Sequence, residues 1–224
     1  MAKTSIISQN SRVTFTPAVE AKFLVGAVSP HQFPEPLAHE IAFLGRSNCG
    51  KSSLLNRFLG RKALARVSNT PGRTREINFF KVTFVKGAPS FLVADLPGYG
   101  YAEAPQKRVV SWGPLVESYL YQKRNQKAFL LMDIRRNLQE DEFLILDLLK
   151  SLKIPLTFIA TKVDKFKRFQ ANVRAKAISS QIPPELRLIL FSSLSGVGRE
   201  EFILEALPKD YREKAETVIL KSFP

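Results

Sequence analysis

Two glycines, Gly45 and Gly50, bracket four residues, and Lys51 and Ser52 follow directly, so that positions 45 to 53 read GRSNCGKSS. This is the pattern of a phosphate-binding loop, and its residue types follow from the chemistry it performs. Glycine lets the backbone curl until successive N–H groups face inward around a polyphosphate. Lys51 sets a compact positive charge against the β- and γ-phosphates, and Ser52 offers a hydroxyl to Mg²⁺. The apolar run Ile41, Ala42, Phe43 and Leu44 ahead of the loop reads as a strand. The segment after it reads as a helix whose positive dipole end faces the same phosphates. The ligand implied is a nucleoside triphosphate.

Three further groups of residues bear on that ligand. Asp95, Leu96, Pro97 and Gly98 form a DxxG pattern at the end of an apolar strand. There the acid can hold a Mg²⁺-bound water and the Gly98 N–H can meet the γ-phosphate. Thr161, Lys162, Val163 and Asp164 follow a second strand. A carboxylate at Asp164 can accept from guanine N1–H and N2–H₂, whereas adenine would leave it buried and unpaired. The stem of Lys162 can lie over the base plane. Ser192 and Ser193 stand after a third strand, where a backbone N–H could reach guanine O6. Between residues 63 and 75 the chain lacks periodicity, and Thr70 and Thr74 are the hydroxyls able to complete the Mg²⁺ shell. Thr74 is favoured because it directly precedes the return to the sheet. A loop held through Mg²⁺ and the γ-phosphate orders with the triphosphate and loosens after hydrolysis.

Positioning these residues requires apolar strands alternating with helices. Strands are expected at 41–44, 77–85, 91–94, 128–133, 156–160 and 186–191. Helices are expected at 53–59, 106–123 (interrupted near Gly113 and Pro114), 140–152 and 173–180, with one or two more between 199 and 221. Such alternation means a mostly parallel sheet covered on both faces, with a hairpin near its start adding one antiparallel edge. In such sheets a ligand sits beyond the carboxyl ends of the strands, where every motif above falls. Residues 1–38 read as an N-terminal extension packing on a single α/β nucleotide-binding domain at 39–224.

Composition narrows the setting. The chain has 224 residues, 45% of them apolar, and no apolar run long enough to cross a membrane. Its N-terminus has no secretory signal pattern and it holds one cysteine, so a cytoplasmic location is expected. That cysteine, Cys49, lies inside the phosphate loop, as a space-filling side chain or as a thiol activated by the helix N-terminus. The net charge of +14 favours a polyanionic partner. Eight basic residues against one acid lie between Arg57 and Lys86, and Lys162, Lys165, Lys167, Arg168, Arg174 and Lys176 form a second cluster.

The segments GRSNCGKSS, NTPGRTREINFF, DLPGYGYA, TKVD and FSSLSG resemble those of the EngB (YihA/YsxC) family of bacterial GTP-binding proteins, from about residue 20 to the C-terminus. That resemblance implies a Ras-like P-loop domain of the TRAFAC class, Mg²⁺-dependent binding of GTP and GDP, and a role in maturing the large ribosomal subunit. It also implies a requirement in normal cell division and septation. Carried onto matching positions, it places GTP against Gly45, Arg46, Ser47, Asn48, Cys49, Gly50, Lys51 and Ser52. It adds Gly72, Arg73, Thr74, Arg75 and Glu76, then Asp95 to Gly98, Thr161 to Asp164, and Phe191, Ser192 and Ser193. Mg²⁺ falls to Ser52 and Thr74. Cys49 replaces a more usual valine, and Thr161 stands where general GTPases carry asparagine, whose amide hydrogen bonds a hydroxyl cannot fully copy.

Many GTPases place glutamine after DxxG to orient the attacking water; here Tyr99 takes that position and would project a bulky ring. Glu103 and Gln106 are near, but spacing singles out neither. Slow turnover is therefore expected, with Lys51, Thr74 and Asn48 as the catalytic set. Asn48 matches the asparagine of potassium-activated relatives, where K⁺ acts like an arginine finger; equally, it can serve the loop's own turn. The expected molecule is a monomer without membrane insertion that partners the large subunit or its RNA. The competing expectation is a nucleotide-regulated protein at a membrane or division complex.

Overall fold

A computed structural model describes residues 20–59, 76–83, 90–100, 113–122, 124 and 126–208. Residues 1–19 of the N-terminal extension, the loop from 63 to 75, residues Glu103 and Gln106, and the chain beyond 208 lie outside them. The described elements are β1 (Glu20–Ala27), β2 (Glu40–Gly45), α1 (Lys51–Leu59), β3 (Ile77–Thr83), β4 (Phe91–Asp95), α2 (Gly113–Tyr121), β5 (Gln126–Asp133), α3 (Glu140–Ser151), β6 (Leu156–Thr161), α4 (Arg168–Ser179), β7 (Arg187–Leu190) and α5 (Arg199–Ala206). The seven strands form one sheet in the order β1-β3-β4-β2-β5-β6-β7. The pairings β4–β2, β2–β5, β5–β6 and β6–β7 are parallel, while β3 runs against both β4 and β1.

The run read as the first strand is therefore the second. Residues 20–27, within the expected extension, supply the outer strand of the antiparallel end. Helix α4 also begins earlier than its periodicity indicates. Its inward positions are Ala171, Ala175 and Ile178, and two of these are alanines too small to stand out beside the basic residues around them.

Strand alternation divides the core in two. Ile41, Phe43, Phe129, Leu131, Ile159 and Ile189 point to the face covered by α1 and α5. Ala42, Leu44, Leu130, Met132, Phe158 and Leu188 point to the face carrying α2, α3 and α4. Every residue of β2 is buried, as expected of a parallel strand covered on both sides. Phe202 of α5 joins the first face, with its ring centroid 4.7 Å from Phe58, 4.9 Å from Phe129 and 5.8 Å from Phe43.

Ion pairs, one of them fully buried, secure the amino-terminal ends of the strands. Glu40 accepts from Tyr119 Oη at 2.6 Å and from Arg124 Nε at 3.0 Å. Burial raises the Glu40 pKa, opposed by Tyr119 and Arg124. Glu205 of α5 accepts from Lys127 of β5 and, at 2.6 Å, from Arg187 of β7. These pairs leave the carboxyl ends of the strands to other chemistry.

Phe202→Ala removes a ring shared by three elements and should lower unfolding stability by about 3–5 kcal/mol, measurable in urea titrations. A loss below 1 kcal/mol would show that α5 contributes little to this half of the core.

Candidate nucleotide site

The loop between β2 and α1 needs its two glycines for different reasons. Gly50 has a φ of 98°, a left-handed conformation that favours glycine. Gly45 is limited by space, since a Cβ there would lie 2.6 Å from Cys49 Sγ and 2.9 Å from the Leu131 carbonyl. Cys49 N–H donates to the Arg46 carbonyl at 3.1 Å, and the bond from Leu54 N–H to the Gly50 carbonyl at 2.9 Å opens the helix. The backbone N–H groups of Lys51, Ser52 and Ser53 precede that bond and belong to the helix's unpaired first turn. Asn48 has a φ of 63°, which gives an asparagine a backbone reason to stand there.

Neighbouring strand ends hold the loop in this shape. The Thr161 hydroxyl, at the end of β6, lies within bonding distance of the Cys49 and Met132 carbonyls. Lys162 follows with a φ of 60° and donates from Nζ to the Asn48 carbonyl at 2.6 Å. Among the described residues only three non-glycines have positive φ, and this bond joins two of them. Lys162 also pairs with Asp133 of β5 at 3.1 Å. Burial works against the charged form of Asp133, but hydrogen bonds from Arg135 and Lys162 outweigh it and hold the carboxyl well below its usual range.

Asp164 lies in a short 3-10 turn, Val163–Lys165, beyond β6. Its carboxylate accepts from the Ser192 hydroxyl at 2.6 Å, and the same Ser192 oxygen accepts from Ser195 N–H at 3.1 Å. Ser192 therefore aims the acid. Its own N–H donates to the Val197 carbonyl at 3.0 Å, which leaves Ser193 as the candidate donor to a base carbonyl. The backbone of Phe191 bonds Ala160 and Val163, fixing this turn against β6, while its ring packs in the core.

On the opposite side of the loop, Lys51 Nζ donates to Asp95 Oδ1 at 2.7 Å. Leu96 N–H continues the β4 pairing by donating to Phe43 at 3.1 Å. Gly98 packs so tightly on the loop that a Cβ would stand 2.9 Å from Ser47 Oγ and 3.1 Å from the Ser47 backbone. Tyr99 then forms a parallel bridge with Arg46, and its carbonyl accepts from Ser47 N–H at 3.1 Å. The ring does not project into the site as its type led us to expect. It is buried among core residues, with its hydroxyl donating to Glu142 Oε1 at 2.9 Å. Burial, then the Glu142 carboxylate, push the phenol far above its ordinary pKa.

A cleft of about 130 Å³ runs beside the loop, lined by Arg46, Asn48, Asp133, Arg135, Glu142 and Lys162 among others. Asp133, Arg135 and Glu142 carried no expectation from sequence. An acid closing the strand beside the phosphate loop was the available signal for Asp133. Hydroxyl and carboxylate oxygens of Ser52 and Asp95 are the hard donors suited to Mg²⁺. Among the described residues there is no cluster of three metal-binding His, Cys, Asp or Glu side chains. Gly72, Arg73, Thr74 and Arg75 lie outside the described residues. Glu76 is described, and its carboxylate rests against Gly26 of β1, where a Cβ would be 2.8 Å away.

Cys49 is buried, and burial pushes its thiol up to about 11 despite the nearby Lys51 charge. At pH 8 only about one thiol in a thousand would be ionised. Iodoacetamide should therefore leave the native protein unlabelled at pH 8 and label it promptly in denaturant. Rapid labelling of the folded protein would restore the activated-thiol reading.

Comparison with known proteins gives this geometry a family. A family model described as "50S ribosome-binding GTPase" matches residues 40–162. The chain is 43% identical over 182 residues to a probable GTP-binding protein EngB of Desulfosudis oleivorans, covering 80% of this chain and 90% of that protein. It is 39% identical to the corresponding protein of Pelobacter propionicus over 202 residues, covering 89% and 98%. Among solved structures it is similar to Era in complex with MgGDPNP and a segment of 16S ribosomal RNA, with a TM-score of 0.60 and 25% identity. That likeness covers 76% of this chain and 57% of the Era chain. A crystal structure of a probable EngB matches in fold with a TM-score of 0.50 at 23% identity, over 82% of this chain and all of that one. No helix among the described residues is long and apolar enough to cross a membrane. The chain belongs to the EngB family of Ras-like P-loop GTPases, proteins that bind GTP and hydrolyse it.

Proposed function

We propose that this protein is a slow, Mg²⁺-dependent GTP switch that engages the large ribosomal subunit during its assembly. The observation that carries the nucleotide part is the convergence of Lys51, Lys162 and a Ser192-aimed Asp164 around one loop. In this reading the carboxylate of Asp164 takes guanine N1–H and N2–H₂, Ser193 N–H meets O6, and the Lys162 stem covers the base. The inward N–H groups and Lys51 take the phosphates, with the ammonium leaving Asp95 for the β- and γ-oxygens. Mg²⁺, when bound, would supply positive charge against the negative charge that grows on the phosphates during transfer. Ser52 and Thr74 are its proposed protein ligands, and Asp95 its water-holding partner. Residues 72–76 complete the GTP contacts. K⁺ held by Asn48 is proposed as an accelerator.

The ribosome part is supported by the description of the matching family and by the net charge of +14. The requirement in division and septation and a cytoplasmic setting belong to the same proposal, as does a single G domain at 39–224 with an N-terminal extension. Gly98 is the element through which the γ-phosphate would act. It is packed against Ser47, so a bond from its N–H would tie the DxxG segment and the loop together. GTP should therefore hold a conformation that GDP cannot.

Two measurements test this. Asp164→Asn should weaken GTP binding by at least about 2 kcal/mol and improve binding of xanthosine triphosphate. Calorimetry showing unchanged GTP affinity would remove Asp164 from the site. Separately, large subunits should co-sediment with the protein more strongly with a non-hydrolysable GTP analogue than with GDP, and less as salt rises. Equal binding in both nucleotide states would reduce the switch to a passive role. Binding to anionic vesicles without ribosome binding would replace this reading with the membrane one.

A further inference from the structure

The chain from Lys165 to Pro184 contains five basic residues and no Asp or Glu. It forms the turn after the Asp164 loop, all of α4 and the link toward β7. The inner stripe of α4, Ala171, Ala175 and Ile178, is buried against the sheet. The outer face carries an unexpected residue. Phe169, in the first turn, is 78% exposed, the largest exposure of any large hydrophobic side chain described. Val173 and Lys176 lie four and seven residues on, and so share its face. Lys165 and Lys167 precede the ring at the start of the helix, and Lys165 lies 3.7 Å from Asp164. Arg174 is turned away, donating to the carbonyls of Ile134 and Arg136.

A ring left this exposed gains nothing for folding, since its apolar area stays in water. Beside cations it has the chemistry of a single-stranded nucleic-acid contact: a flat face for an unstacked base and ammonium groups for the phosphates on either side. A membrane surface fits less well. An interfacial helix buries a broad apolar stripe in lipid, and the exposed apolar side chains of α4 are only Phe169 and Val173. An acidic protein segment would use the lysines but has no specific need of the ring. Residues 165–184 contribute no acid of their own, and Lys165 has Asp164 nearby.

We propose that the outer face of α4 is an RNA-contact surface, with Phe169 stacking on an unpaired base and Lys167 and Lys176 holding adjacent phosphates. The assignment rests on the ribosomal reading above and names the surface through which that partner is held. It also places the contact directly beyond the Asp164 turn, so the base-binding end of the nucleotide site and the RNA face share one segment.

The test uses the full chain loaded with a non-hydrolysable GTP analogue, with large ribosomal subunits and a single-stranded RNA oligonucleotide as probes. Phe169→Ala should weaken both interactions about tenfold, and Phe169→Trp should preserve them. Lys167→Gln and Lys176→Gln should each weaken binding and flatten the dependence of log K on log salt by about one unit. GTP affinity and the unfolding midpoint should stay unchanged in all four, since these side chains are exposed and outside the nucleotide contacts. Wild-type protein failing to bind large subunits at low salt would overturn the ribosomal reading itself. Wild-type binding with unchanged affinity in the variants would overturn only the α4 assignment. A Phe169→Trp variant as weak as Phe169→Ala would overturn stacking, and loss of vesicle binding in place of RNA binding would assign the face to a membrane.

Discussion

A loop whose N–H groups are to face a polyphosphate can spend few of them on holding its own shape. Cys49 N–H closes one bond within the loop, to the Arg46 carbonyl, and the rest of the curvature is held from outside. Thr161 grips the Cys49 carbonyl from β6, Lys162 reaches the Asn48 carbonyl, and Tyr99 takes the Ser47 N–H from the segment after β4. Two of these ties take carbonyls and leave the loop's N–H groups free of them, while the third takes the Ser47 N–H. Preorganisation of this kind removes the cost of ordering the donors when charge arrives. The residue types at 161, 162 and 99 thus serve the loop before they serve any substrate.

Those ties depend on the sheet's order. Because β4, β2, β5 and β6 are parallel neighbours, their carboxyl ends lie side by side, and residues far apart in sequence arrive within hydrogen-bonding distance. Asp95, the phosphate loop, Asp133 and Thr161 are the ends of four adjacent strands or directly follow them. The charges that stabilise the fold lie at the amino ends, where Glu40 and Glu205 are paired internally. Separating the two sets keeps structural ion pairs from competing with a polyanionic ligand for the same lysines and arginines. Exceptions lie at the ligand end, where Asp95 holds Lys51, Asp133 holds Lys162 and Arg135, and Asp141 pairs with Arg46.

What could be read from sequence was whatever rests on local spacing. The loop between Gly45 and Ser52, the DxxG segment and the turn around Asp164 are short, and their roles follow from residue type and from the strand before them. Asp133 and Arg135 were not legible, because their importance comes from the β5–β6 pairing that brings Lys162 alongside. Gly45 was read as a conformational need, yet the structure makes it a spatial one, set by Leu131 on the neighbouring strand. β1 was missed because an edge strand half open to solvent lacks the continuous apolar run of a central strand. Phe169 shows the converse. A helical pattern cannot say which aromatic faces water when the buried stripe is mostly alanine.

Tyr99 ties the architecture to the expected rate of the reaction. The position after DxxG could carry an amide that orients water, or a side chain that anchors the DxxG segment to the body of the protein. One residue cannot do both, since the first requires a side chain facing the phosphates and the second requires one facing the core. Here the ring is buried and hydrogen bonded to Glu142, which itself accepts from Gln139 N–H at the start of α3. The anchoring role has won. It joins the segment that would sense the γ-phosphate to α3 and to Ser47, so movement there must disturb a buried hydrogen bond and a packed ring. A protein built this way holds that segment in firm register and gives up a built-in water-orienting side chain at that position. Timing of hydrolysis then falls to other groups, whether residues elsewhere in the chain, a bound cation or the partner.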